Sequence, residues 1–328
     1  MKVASKWITL ALAMTGMTIG PQAQANDDDL PVTVNIRTEG SGAPIVVIGD
    51  RELERDRVRD AVRDIAMRGR SQTDALVRYT DPLCVTAIGL GERLGVGLRR
   101  RIEAHSRLAG HPVAAAGCRT NALIVIVDEP ARLIERLRGK RRDLFDPAAN
   151  RRIRATLRRG YPAVTWSIAG TLDRYGNEME NGAAIGGLSA PGAAGDLLLQ
   201  RDSRAASRLG VPFARSRTMS VIVFEAKRLH NVHLDQLADY ATMRILGNPQ
   251  PYARLSEEQP ETILNLFRTD PLDAAPGLTL IDMAYLRGLY SVPPGQPSTR
   301  LEHFTLAAYR ELAKMECDDA AGCNTDPG

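Results

Sequence analysis

The chain has 328 residues, 44% of them hydrophobic, with 43 Lys or Arg against 39 Asp or Glu and a formal net charge of +4. That length is ample for a large core, as one big domain or two. The four cysteines form no Cys-x-x-Cys pair and have no paired histidine spacing beside them, which counts against a structural zinc site.

Residues 1–25 read as a secretory signal. Lys2 and Lys6 make the basic start, Ile8 to Ile19 the apolar run, and Ala23-Gln24-Ala25 the small-residue cleavage site. No cysteine stands directly after that point, which argues against a lipoprotein anchor. The apolar run is too short for a good transmembrane span, and nothing later approaches that length. The expected mature chain is therefore soluble, periplasmic or secreted, where disulfides persist. Losing Lys2 and Lys6 leaves it at +2. Residues 26–44 are acidic and then Gly/Ser-rich, a loose segment with one short strand at 32–36.

The main domain is expected over 45–316. A strand at 45–48 precedes an amphipathic helix at 52–67, with Val58, Ala61, Val62 and Ile65 inward. Its outer face sets Asp56 near Arg59, Asp60 near Arg63 and Asp64 near Arg68, a solvated charge-laced surface.

Residues 78–129 organise the rest. Leu83 to Ile88 is a short β-rich run stopped by Gly89 and Gly91. Leu94, Leu98, Ile102, His105 and Ala109 then recur at helical spacing until Gly110 and Pro112. Ala122 to Val127 is apolar throughout, as a strand covered on both faces would be. Strand, crossover helix and strand predict a parallel, right-handed βαβ unit. Both strands then start at one sheet edge, which brings Cys84 towards Cys118. Four cysteines allow three pairings. The favoured set is Cys84–Cys118 and Cys317–Cys323, the second clipping an acidic tail over 317–328.

The segment from Arg132 to Arg159 carries eleven Arg or Lys against Glu135, Asp143 and Asp146, a balance of +8 that leaves −6 for the rest of the mature chain. Arg141, Arg142, Arg151, Arg152, Arg154, Arg158 and Arg159 are the candidates for binding an anionic envelope component. The bland alternative is two arginine-rich helices facing water. Only Phe145 and Tyr161 are available there for base stacking, which argues against nucleic acid.

A strand at 163–169 holds Trp166 as a core residue. Residues 176–195 are rich in Gly, Ala and Asn and predict a long loop. A strand at 218–226 leads to a helix at 234–246, stopped by Gly247-Asn248-Pro249. Helices at 261–267, 279–290 and 300–315 complete a helical C-terminal third.

Few constellations carry chemistry. Gly89, Gly91 and Gly95 stand between a strand and a helix, as in a dinucleotide-binding turn, with Asp128 and Glu129 after the next strand. The acids lie well beyond the usual spacing of about 20 residues, so turn glycines are the simpler reading. His230 and His233, near Asp235 and Asp239, are weak candidates for a transition-metal site. Gly187-Leu188-Ser189-Ala190-Pro191 misses the nucleophile-elbow pattern at its last position. No Ser-x-x-Lys and no His-Glu-x-x-His occurs.

Asp81-Pro82-Leu83-Cys84, Gly117-Cys118-Arg119-Thr120-Asn121, Gln236-Leu237-Ala238-Asp239-Tyr240-Ala241 and the run from Leu278 to Tyr290 resemble exported proteobacterial proteins of unknown function. More distantly, the layout is similar to a zincin-like secreted family that places a metal-binding His-Glu pair on a helix. The matching helix here offers Gln236, Asp239 and Tyr240 instead, so the resemblance implies a relative that kept the scaffold and lost the metal motif.

The combined expectation is an α+β protein with a mixed sheet. It would act as a non-catalytic binding or structural module with a basic surface and no cofactor. A hydrolase of zincin-like ancestry, its cleft near Gln236, Asp239 and Tyr240, is the second reading. A nucleotide-dependent oxidoreductase is the third.

Overall fold

The computed structural model describes residues 55–67, 76–173, 213–250, 259–294 and 296–319. The signal at 1–25, the segment at 26–44, the strand at 45–48, the loop at 176–195 and Cys323 lie outside them.

Helix α1 (Arg55–Ile65) buries Val58, Ala61, Val62 and Ile65, the stripe its periodicity predicts. On the opposite face Arg59 lies 3.7 Å from Asp56 and Arg63 lies 3.4 Å from Asp60. Arg63 also reaches Glu302 Oε1 at 2.9 Å.

The next elements are β1 (Val77–Arg78), β2 (Val85–Ile88), α2 (Glu92–Leu108) and β3 (Ala122–Val127). Strands β2 and β3 are parallel, with Val85 opposite Ala122 and Ile88 opposite Val125. Cys84 and Cys118 are joined at their shared leading edge, with Cα atoms 6.1 Å apart. Asn121 knits the same edge: its Oδ1 accepts from the Cys84 amide at 2.8 Å and its Nδ2 donates to the Pro82 carbonyl at 3.0 Å. The turn from β2 into α2 requires Gly89. Its φ is +88°, and a Cβ there would fall 2.0 Å from the Ile126 carbonyl oxygen.

Helices α3 (Pro130–Lys140) and α4 (Pro147–Arg158) each open on a proline, whose missing N–H costs nothing in the first turn. Asp146 caps α4 by accepting from the Ala149 amide at 2.6 Å. Their apolar stripes, Ile134 on α3 and Ala149 and Ile153 on α4, pack with Val125, Val164, Trp166, Val221 and Val223 on one sheet face. Trp166 is buried there, its Nε1 donating to the Leu144 carbonyl at 2.9 Å. The alternate residues Ile124, Ile126, Ile222 and Phe224 belong to the larger core on the other face. This period of two is why the β3 sequence is apolar throughout.

Strands β4 (Ala163–Asp173) and β5 (Phe213–Glu225) pair antiparallel, from Ala163 opposite Phe224 to Asp173 opposite Phe213. Both run past the 163–169 and 218–226 expected from sequence, because pairing continues through Gly170-Thr171 and Arg215-Ser216-Arg217, which no apolar pattern marks. Ile168 faces Met219 while Ala169 faces Arg217, so Thr218 is the extra residue of a bulge. The other edge of β5 is shared: β3 lies along Ser220–Glu225 and β1 along Arg215–Ser216. The sheet is mixed, with β2 at one edge and β4 at the other.

Helix α5 (Leu234–Thr242) continues as a π turn, Met243–Gly247, and ends at Asn248, whose φ is +47°. Helices α6 (Leu280–Ser291) and α7 (Leu301–Asp319) complete the helical C-terminal region. They cross at Gly288, where a Cβ would lie 2.5 Å from Thr305 Oγ1. Helix α7 extends through Cys317, past the boundary expected for the tail. The helix expected at 261–267 is only a single 3₁₀ turn, Ile263–Asn265. Its amides are met by side chains instead: Asp282 accepts from the Ile263 amide at 2.8 Å and Thr262 from the Leu264 amide at 3.2 Å. No helix among the described residues is long and apolar enough to cross a membrane.

Candidate functional site

The cleft expected around Gln236, Asp239 and Tyr240 is a packed interior. Asp239 has no exposed surface and accepts from Arg101 Nε at 2.6 Å, Arg101 Nη2 at 2.8 Å and the Leu278 amide at 2.8 Å. Neither ring nitrogen of His105 is in line for a hydrogen bond, although Nε2 lies 2.9 Å from Asp239 Oδ1. Burial alone would raise the Asp239 pKa, but its contacts with His105 and Arg101 hold it below the ordinary carboxylate value. Gln236 donates to the carbonyls of Pro271 at 2.8 Å and Ala275 at 3.0 Å and accepts from the His233 amide at 3.0 Å. Tyr240 packs edge-on against Phe267 at 4.9 Å, its hydroxyl accepting from Arg244 Nε at 3.0 Å. These groups join α2, α5 and the 271–278 loop. His230 is exposed and His233 half-buried, and no group of three or more metal-ligating side chains forms among the described residues.

The basic segment divides in two. Arg141 is paired with Asp143 at 2.7 Å, and that carboxylate is held below its usual range by the guanidinium. Arg142 and Arg159 are exposed. Arg151, Arg154 and Arg158 are exposed along one stripe of α4, opposite the buried Ala149, Ile153 and Thr156. Arg152 leaves that stripe. It is half-buried with Nη2 at 2.8 Å from Met67 Sδ, and burial followed by the nearby Arg217 and Arg215 charges pulls its pKa down, with Asp146 opposing.

Arg152 thus leads to a second set of guanidiniums that the sequence reading missed. A small, partly open cleft lies between β1, the outer ends of β4 and β5, and the segment after α6. Its polar lining is Arg78, Thr80, Arg215 and Gln296, and no carboxylate lines it among the described residues. Arg78 is braced by donating from Nη1 to the Leu289 carbonyl at 2.6 Å. Thr80 and Ser216 share a hydroxyl–hydroxyl hydrogen bond. Two residues along β5 from Arg215, Arg217 is fully buried. Its Nη1 donates to the Ile245 carbonyl and its Nη2 to the Val77 carbonyl at 3.3 Å, it lies 5.3 Å from the centre of the Tyr79 ring, and Nε has no hydrogen-bond partner among the described residues. Burial pulls its pKa down, yet a guanidinium remains charged at neutral pH. Behind Arg78, His111 lies buried 4.6 Å from the Tyr290 ring. Burial first, and Arg78 next among the lowering influences, sets its pKa at about 4, so it adds no charge at neutral pH.

The chemistry offered is recognition of an oxyanion. Two guanidinium forks, a hydroxyl and a carboxamide provide donors, and the buried Arg217 adds positive potential through a medium that screens poorly. The signal available in the sequence was Arg215-Ser216-Arg217 leading directly into the apolar strand from Val221 to Phe224. Starting that strand at Thr218 left both arginines outside it. Comparison with protein-family models, with curated proteins and with solved structures returned no match.

Proposed function

We propose that this protein is an exported, non-catalytic module that binds an anionic partner of the cell envelope through a basic surface. The observation that carries this reading is a cleft lined by Arg78 of β1 and Arg215 of β5 with no lining carboxylate among the described residues, with Arg217 buried two residues further along β5 and the charges of both β5 arginines felt at Arg152 of α4. Like charges gathered in a poorly screened region repel one another and are relieved by a bound anion. The outer stripe of α4 extends the positive field across the adjacent surface. The Cys84–Cys118 bond supports an oxidising compartment, and the leader-like residues 1–25 supply the route. On this reading the zincin-like resemblance is one of ancestry, with the α5 positions now used for packing.

The test is retention of the mature protein on an anionic matrix over a salt gradient. Screening weakens exposed charge attraction as the Debye length falls from about 10 Å at 0.1 M salt to about 3 Å at 1 M. Reversing Arg151, Arg154 and Arg158 to Glu is expected to move elution to clearly lower salt without changing the thermal transition. Elution at the wild-type position would remove α4 from the binding surface.

A further inference from the structure

We propose that the cleft between β1, the outer ends of β4 and β5 and the segment after α6 is a site for a small amphiphilic anion, an apolar chain ending in one phosphate or carboxylate group. This rests on the anion-binding reading above and narrows it to a ligand class.

The cleft is two-sided in chemistry. Arg78, Thr80, Arg215 and Gln296 supply donors, while Leu76, Leu172, Ala214, Val292, Pro293 and Pro294 supply an apolar wall. A bare inorganic ion would satisfy the donors and leave the exposed Pro293 and Pro294 and the half-buried Leu76 and Ala214 in water. A polyanion lying along α4 would touch neither. A ligand with one charged end and one apolar end uses both, and gains from the apolar area removed from water as well as from charge-assisted hydrogen bonds.

The walls are also set before binding. Leu172 and Val292 are buried from solvent, and Pro293-Pro294 fixes the backbone torsions of the lip. Arg78 is held by the Leu289 carbonyl, so its fork is oriented without cost at the moment of binding. Arg217 cannot reach the ligand through its own hydrogen bonds to Ile245 and Val77, but its charge lies behind the same stretch of β5 and favours an anion in front of it.

Titration calorimetry of the mature protein with octyl phosphate, inorganic phosphate and octanol separates the two contributions. Octyl phosphate is expected to bind at least about tenfold more tightly than either of the others. Arg215→Gln should weaken octyl phosphate about tenfold, the scale of one charge-assisted hydrogen bond. Leu76→Ser, at a half-buried wall position, should weaken octyl phosphate and leave inorganic phosphate unchanged. Arg78→Gln removes a structural bond as well, so the exposed Arg215 variant decides if that protein fails to fold. Inorganic phosphate binding as tightly as octyl phosphate overturns the proposal, as does octyl phosphate binding equally to wild type and Arg215→Gln, or no binding at all. If octyl phosphate fails while the α4 reversal still shifts elution from the anionic matrix, only the amphiphile assignment is lost. If both fail, the binding-module reading is lost with it.

Discussion

Asp282 shows how burial and hydrogen bonding compete at one residue. Its carboxylate accepts from the Thr262 hydroxyl, the Ile263 amide at 2.8 Å, the Thr279 amide at 3.2 Å and the Thr279 hydroxyl at 3.0 Å. All four favour the charged form, yet complete burial prevails and pushes the pKa up to about 6. A carboxyl whose folded pKa is raised contributes most below its unfolded pKa and loses that contribution as pH rises through the folded value. The gap between the ordinary 3.8 and about 6 is worth about 3 kcal/mol. Urea unfolding at pH 4 and pH 7.5 should therefore show the wild type losing about 2–3 kcal/mol relative to Asp282→Asn as pH rises. Parallel pH dependence in the two proteins would remove Asp282 as the cause. None of this was legible in the sequence, where Asp282 reads as an ordinary first-turn acid. Its environment depends on a 3₁₀ turn about 20 residues away, and no local pattern reports that distance. Asp239 drew attention through the zincin-like resemblance of its helix, and only the fold reveals that it is wholly buried with Arg101 and the Leu278 amide as its partners.

Among elements, the βαβ unit was the most legible because three independent signals agree on it: a turn glycine, a helical stripe and two cysteines at one edge. Strand β3, flanked by β2 and β5, has no free edge, and its even and odd residues feed two different cores. Disulfide closure of the 84–118 loop, a sequence separation of 34, restricts the unfolded chain more than the folded one. Removing both sulfurs together, Cys84→Ala with Cys118→Ala, is expected to cost about 3–4 kcal/mol in the chain-entropy account while leaving the far-ultraviolet circular dichroism unchanged. Equal denaturation midpoints for the variant and the oxidised wild type would show that Asn121 and the parallel ladder hold this edge unaided. Less legible were the outer ends of β4 and β5. Their pairing is made by backbone hydrogen bonds beyond a bulge at Thr218, where side-chain alternation breaks and polar residues enter the strand. The candidate site is built from those ends, so it was hidden by the same break.

At the scale of the whole molecule, the pairing of charges is uneven among the described residues. Asp56 and Asp60 of α1 lie within reach of Arg59 and Arg63, and Asp235 and Asp239 of α5 are met by Arg101. Near the cleft, by contrast, Arg152 lies within the influence of the Arg217 and Arg215 charges, which lower its pKa after burial does, with Asp146 opposing them. Like charges placed this way repel one another, and a bound anion would relieve that repulsion. The thermal transition in dilute, phosphate-free buffer should rise more with added sulfate than with chloride at equal ionic strength. Part of that rise is general exclusion of sulfate from protein surface, common to every folded variant. The diagnostic quantity is the remainder. A protein with Arg152→Gln and Arg215→Gln, whose like-charge repulsion has been removed, should start at a higher transition temperature than the wild type and gain less from sulfate, so that the two curves converge. Curves that stay parallel would mean that the guanidiniums are already neutralised within the fold, and the cleft would then have no excess charge to offer a ligand.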